Sequence, residues 1–349
     1  NEKESFLKRK NVIISFKRYG IDAMGSMALG LFASLLIGTI INTIGQNICP
    51  GSFVSEKLLE IGGYATSVTG AAMALAIGYA LQAPPLVMYS LCAVGAACNA
   101  IGGSGGPLAV FFVAVITCEI GKLVSKETKI DIIVTPAVTV IVGVVLAMLL
   151  APVCKNICNA LGAFIGWATD LRPFWMGMII SVVVGIVLTL PISSAALGII
   201  LNLSGIAAGA ATIGCCAQMI GFATASLREN GIGGLLAQGI GTSMLQVPNI
   251  VRKPLIWLPP IITSAILGPI STVVLKMTNN AIGSGMGTAG FVGPMMTYKT
   301  MTTGGTSAVT VIVMILVMQI IAPAFLTYFI SEAMRRAGLI KDGDMKLDI

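Results

Sequence analysis

"CNAIGGSGGPLAVFFV", residues 98–113, sets glycines and a proline inside a run otherwise as apolar as a membrane span, and "NNAIGSGMGTAGFVGP", residues 279–294, does so again. What such breaks mean depends on the solvent. Of 349 residues, 56% are hydrophobic and 10% charged, with a mean hydropathy of +0.95, whereas about a quarter of a soluble domain is charged. The expected fold is therefore all-α and polytopic, embedded in a bilayer. A span needs about 20 apolar residues. The windows 21–45, 64–82, 85–101, 106–124, 131–153, 174–196, 204–226, 234–250, 255–277 and 303–329 predict about ten crossings within one transmembrane domain, 21–330.

Ahead of that domain, residues 1–20, "NEKESFLKRKNVIISFKRYG", are basic and amphipathic, with no small-residue cleavage site. They predict a lead-in helix lying on the membrane surface, and no nucleic-acid role. With both ends inside, fifteen Lys and Arg fall on cytoplasmic segments and six on the opposite face. That asymmetry predicts a cytoplasmic-membrane protein with cytoplasmic termini, 331–349 being a tail. The net charge of +7 then reports orientation and needs no acidic partner.

The chain has no histidine, which removes the commonest general base, the Ser-His-Asp triad, most metal sites and any phosphohistidine relay within it. Its cysteines (Cys49, Cys92, Cys98, Cys118, Cys154, Cys158, Cys215, Cys216) form no C-x-x-C pair and read as small buried apolar side chains. No phosphate-binding G-x-x-x-x-G-K-[ST] motif occurs. No catalytic residue, metal or cofactor is expected.

In hydrocarbon every peptide N–H and C=O must be paired, so irregular chain at membrane depth survives only inside protein or against a water-filled cavity. Helix halves ending there aim free peptide groups inward and can hold a polar ligand. Three features favour this over mere close packing of small residues. An Asn-Ala-Ile/Leu-Gly tetrad begins at Asn99, Asn159 and Asn280. Residues 135–162 and 259–283 echo one another, suggesting internal duplication with halves of about 21–165 and 174–330. Finally, "SLRENGIGGLLAQGIGTSMLQVPNI", 226–250, carries too many amides, hydroxyls and glycines for a plain span. It reads as a re-entrant or broken helix, with polar glue between helices as the competing reading. The expected contacts for a small polar solute are Asn99, Ser104, Glu229, Asn230, Gln238, Thr242, Ser243, Gln246, Asn280, Ser284 and Thr288. Gly102, Gly103, Gly105, Gly106, Gly239, Gly241, Gly283, Gly285 and Gly287 are expected to shape the backbone around them.

The stretch "IDIIVTPAVTVIVGVVLAMLLAPVCKNICNALGAFI", 130–165, resembles the Pro-rich span and following break of EIIC membrane permeases of the bacterial sugar phosphotransferase system (PTS). "GGLLAQGIGTSMLQVPNI", 233–250, is similar to the branch of that family containing the perfringolysin O regulator. The resemblance implies a ten-span homodimeric permease that moves a sugar by a sliding motion, the sugar being phosphorylated on the cytoplasmic side by a separate IIB protein charged through IIA. By the resemblance Glu229 is a sugar-contacting glutamate. The chain departs from several sugar branches in lacking the histidine that accompanies such a glutamate, so a solute-sensing regulatory protein and an ion-coupled carrier or channel remain alternatives.

Overall fold

The structure is a computed structural model that describes residues 6–48 and 50–348. The start of the basic lead-in (1–5), Cys49 and Ile349 lie outside the described residues. Among the described residues the architecture is all helical, apart from one isolated antiparallel bridge between Gly205 and Asn279. Six helical runs are long and apolar enough to cross a bilayer, or seven if α2 (Phe53–Ser67) and α3 (Thr69–Ala80), bent at Val68, count as one span. The exact count of ten is not confirmed, and one of these runs, 85–124, is itself two helices folded back on each other at 103–105. The 174–196 window is the 17-residue helix α7 (Pro173–Thr189), and 234–250 is broken into short π, 3-10 and α turns.

The chain divides into two compact units, residues 1–38 with 60–157, and residues 39–59 with 158–349. In the first, the early part of α1 (Lys17–Asn47) packs on α3, α3 packs on α4 (Pro85–Gly102) and α5 (Gly106–Val124), and the early part of α6 (Asp131–Thr169) meets α4 and α5 where Gly143 lies against Val94 and Thr117. Small residues set the approach. A Cβ on Gly70 would stand 2.3 Å from the Gly95 carbonyl, and one on Gly30 2.6 Å from the Ala72 carbonyl, which is the close backbone contact that glycine permits between spans. Helices α4 and α5 are antiparallel: Gly121 lies against Val87 at one end of the pair and Gly106 against Asn99 at the other.

In the second unit α8 (Gly205–Ala225) is the centre, packed by α7, α10 (Pro254–Val274) and the later half of α12 (Ala308–Arg336). Small side chains all round α8, 89% buried, mark a helix with no lipid face. Gly214 carries this furthest, since a Cβ there would lie 1.8 Å from the Ser181 carbonyl of α7. By contrast α6 and α12 are each only 22% buried, and side chains such as Ile132, Ile141, Leu149, Val309 and Phe325 are exposed. Apolar exposure on this scale fits hydrocarbon as solvent, not water. The sequence reading ends a span at 153, ahead of the Asn159 tetrad; instead α6 runs unbroken through Pro136, Pro152 and Asn159 for 39 residues, about 58 Å at 1.5 Å per residue.

The cysteines Cys98, Cys118, Cys154, Cys158, Cys215 and Cys216 are buried and Cys92 is half-buried, with no disulfide among them.

Candidate functional site

In the first unit the glycines of 102–106 form the turn that reverses α4 into α5. Gly103 takes φ +51°, which only glycine adopts readily. A Cβ on Gly105 would stand 2.6 Å from the Cys154 backbone of α6, so the turn is pressed onto that helix. Asn99 is half-buried beside Gly106, and the Ser104 hydroxyl is buried without a partner among the described residues.

The second glycine segment repeats the device in the second unit. Asn280 accepts from the Gly283 N–H at 3.0 Å and caps the short helix Ala281–Ser284. The chain then turns through Gly287 (φ +53°) and Gly290 (φ +55°) into α11 (Val292–Thr303), which returns past it so that Gly283 meets Met296. Gly285 is pressed onto Ser194, whose hydroxyl donates to the Gly285 carbonyl at 2.6 Å. Ser284 donates to the Ala281 carbonyl and lines a cavity of about 10 Å³ with Ser194 and Gly198, enough for about one water. Sequence reasoning missed the neighbouring Asn279. Its buried amide donates to Thr212, Thr297 and the Gly293 carbonyl at 2.7, 3.0 and 3.2 Å, tying the turn to α8.

Residues 226–250 are a broken helix. Gly231 (φ +59°) interrupts α9 (Leu227–Leu236), a π turn spans Ala237–Gly241, and Thr242 is extended before a 3-10 turn at Ser243–Gln246. Thr288 joins the two irregular segments, donating to the Gly239 carbonyl at 2.5 Å. The amides have definite partners. Gln238 donates to Ser226 and Gly234, and accepts from Gln246 at 2.9 Å. Gln246 and Asn230 both donate to the Met345 carbonyl, and Asn249 donates to the Lys346 carbonyl. Asn230 also accepts from the Leu347 N–H. Glu229 accepts from Arg335 at 3.1 Å and from the Gly343 N–H at 2.9 Å. Glu229, Asn230, Gln246 and Asn249 therefore face the chain's own segment 343–347, in which Met345 and Leu347 are buried, and Gln238 reaches it only through Gln246.

Ser243 faces the other way. Its hydroxyl lies 2.8 Å from Thr189 Oγ1 on α7, which is in turn 3.2 Å from Gln218 Oε1 on α8, and Trp257 Nε1 donates to that same oxygen at 2.9 Å. An indole N–H only donates, so the Gln218 oxygen must face Trp257. Its Nε2 is then left buried with no partner among the described residues. Sequence reasoning passed over Gln218, Thr189 and Trp257, which lie outside the glycine-rich segments it singled out. The available signal was one amide in an otherwise apolar span.

Among the described residues no three metal-ligating side chains converge.

Long apolar helices exposed on their outer faces, a buried central helix, and irregular backbone and amides enclosed beside it define a multi-pass membrane protein of permease type. The chain belongs to the phosphotransferase system EIIC family, whose model matches residues 21–347. No curated protein matches it.

Proposed function

We propose that the protein is the membrane permease of a PTS-type system and passes a small, uncharged polar solute, of which a sugar is the leading case. Its site would lie in the second unit, where the broken segment 237–246 meets α7 and α8. The observation that carries this reading is the unpaired Nε2 of Gln218, grouped with Thr189, Ser243 and Trp257. A buried donor without a partner costs about 1–3 kcal/mol. A solute hydroxyl or carbonyl would satisfy it, while the neighbouring hydroxyls exchange partners and the indole offers an apolar face. Thr242, Thr288 and the freed peptide groups of 237–246 would form the adjoining wall. Separate IIB and IIA proteins, a homodimeric assembly and a cytoplasmic-membrane location with both termini inside belong to the same reading.

Vesicles reconstituted with the folded protein, scanned with labelled sugars, polyols and organic acids, test it. Uptake or saturable binding of an uncharged solute, lost in Gln218→Leu, is expected. Binding without uptake would move the assignment to a solute-sensing regulatory protein. Uptake that follows a proton or sodium gradient would move it to an ion-coupled carrier. No interaction with any solute would sink the permease reading.

A further inference from the structure

A polar cavity in the first unit has no part in the solute reading. It has a volume of about 480 Å³, within the roughly 300–1,000 Å³ of ligand pockets. Arg9, Lys10, Lys122 and Lys126 line it, with Glu127 as the one lining carboxylate. Arg18 stands behind it, donating to Asn11 and to the Leu81 carbonyl. Glu119 pairs with Lys122 at 2.8 Å, and Asp131 accepts from the Lys126 N–H. Five cations thus meet three carboxylates, leaving two positive charges. Arg9 and Lys10 share Glu127, and the Lys126 ammonium donates no hydrogen bond among the described residues.

Two further observations bear on the cavity. Asn11 (φ +55°), Gln82 (φ +54°) and Lys126 (φ +60°) line it just past helix ends, and at two of them C-cap bonds, Val12 N–H to the Leu7 carbonyl and Ala83 N–H to the Gly78 carbonyl, fix its rim. In addition, the chain leaves the cavity on both sides through apolar side chains that nothing in the protein covers: Ile14 is 83% and Phe16 70% exposed on one side, and Ile132 is 74% exposed on the other. A free anion needs no such flanks, whereas a lipid does: its phosphate takes the cations and its acyl chains take the apolar rims.

We propose that this cavity is a binding site for the phosphodiester headgroup of an anionic phospholipid. The site anchors the lead-in 6–16 and the loop 125–131 to one membrane face, independently of what solute the protein moves.

Native mass spectrometry of the full-length protein, exchanged from detergent into phosphatidylglycerol or phosphatidylcholine, measures the preference, with glycerol 3-phosphate as the soluble probe. Wild type should retain phosphatidylglycerol at least about tenfold better, since each nearby cation contributes about fivefold in affinity. Arg9→Ala with Lys126→Ala should bring the two lipids close to parity, with an unchanged melting temperature. Should that double variant misfold, Lys126→Ala alone, at an exposed side chain, should still lose about fivefold. Ile14→Ser with Ile132→Ser should weaken lipid retention without altering the response to glycerol 3-phosphate. The proposal is overturned if wild type shows no headgroup preference, or if the folded double variant keeps it. Glycerol 3-phosphate binding as tightly as the lipid, with the two isoleucine substitutions silent, would make the cavity a site for a soluble phosphate ester and would also overturn it.

Discussion

Gln218 and Glu127 show how one residue's partners decide what it can do. Gln218→Leu removes the acceptor of the Trp257 indole, at a cost of about 1 kcal/mol, and also removes the buried donor that had no partner, so the two changes nearly offset one another. The melting temperature should therefore move by no more than a few degrees while solute binding falls by about tenfold, one hydrogen bond's worth or more. A large loss of stability with binding intact in the surviving protein would assign Gln218 to packing alone. At Glu127 the effect appears with pH. A hydrogen bond from Lys10, reinforced by the charges of Lys10 and Arg9, holds this carboxyl below the glutamate value of 4.5. A depressed carboxyl stabilises its contacts above the unfolded value and loses them as pH falls through the folded one. The lead-in should thus stay docked at neutral pH and loosen only below about pH 4.5. Hydrogen exchange of residues 6–16 against pH measures this, and Glu127→Gln should flatten that pH dependence, with Lys10 to the Ser125 carbonyl and Lys122 to the Asn11 carbonyl still holding the lead-in.

Elements in this protein are set by where a side chain would collide. Gly214 of α8 leaves no room for a Cβ against the Ser181 carbonyl, whereas Gly166 of α6 has nothing within 4 Å. Gly214→Ala must push two buried helices apart and should cost about 3 kcal/mol or more, the upper end of overpacking. Gly166→Ala should instead stabilise by about 0.5–1 kcal/mol, because alanine restricts the unfolded chain and favours the helix. Reversible unfolding in mixed micelles compares the two, and equal effects would mean that α7 and α8 do not touch as described. The same contrast explains which breaks were legible. The segments at 102–106 and 226–250 show in the sequence because residues such as Gly103 and Gly231 need φ values that other residues avoid. The Asn159 tetrad reads alike, yet it stays helical: Cys158 is buried with Val187 and Leu197, and that packing outweighs a glycine at 162. Motif resemblance alone could not separate these cases, because the deciding contacts come from residues 25 or more positions away.

At the scale of the whole molecule, composition was enough to name the solvent and the helical class, since no aqueous fold could leave α6 and α12 so apolar outside. The partners of the amides were not readable, because they depend on where residues 343–347 go. Three amides, Asn230, Gln246 and Asn249, donate to two carbonyls of that segment, and Glu229 and Asn230 accept from its N–H groups. These contacts join chain segments about 100 residues apart, a pairing that no local pattern encodes. Removing residues 340–348 would strip all of these bonds and expose the cluster around Phe222, Ile250 and Ile256, into which Ile340 and Met345 pack. The network is held by the segment, so 226–250 should lose hydrogen-exchange protection by about tenfold or more, since each broken bond contributes about 1 kcal/mol. Protection across α4 and α5 should stay as it was, because none of these bonds reaches the first unit. If the proposed solute also approaches through 237–246, the truncated protein should bind it faster and release it faster, and stopped-flow binding would show both rates rising together. Unchanged protection at 226–250 would mean that the amides close on one another without the segment. The broken helix would then be a self-contained polar element whose partners lie within its own 25 residues.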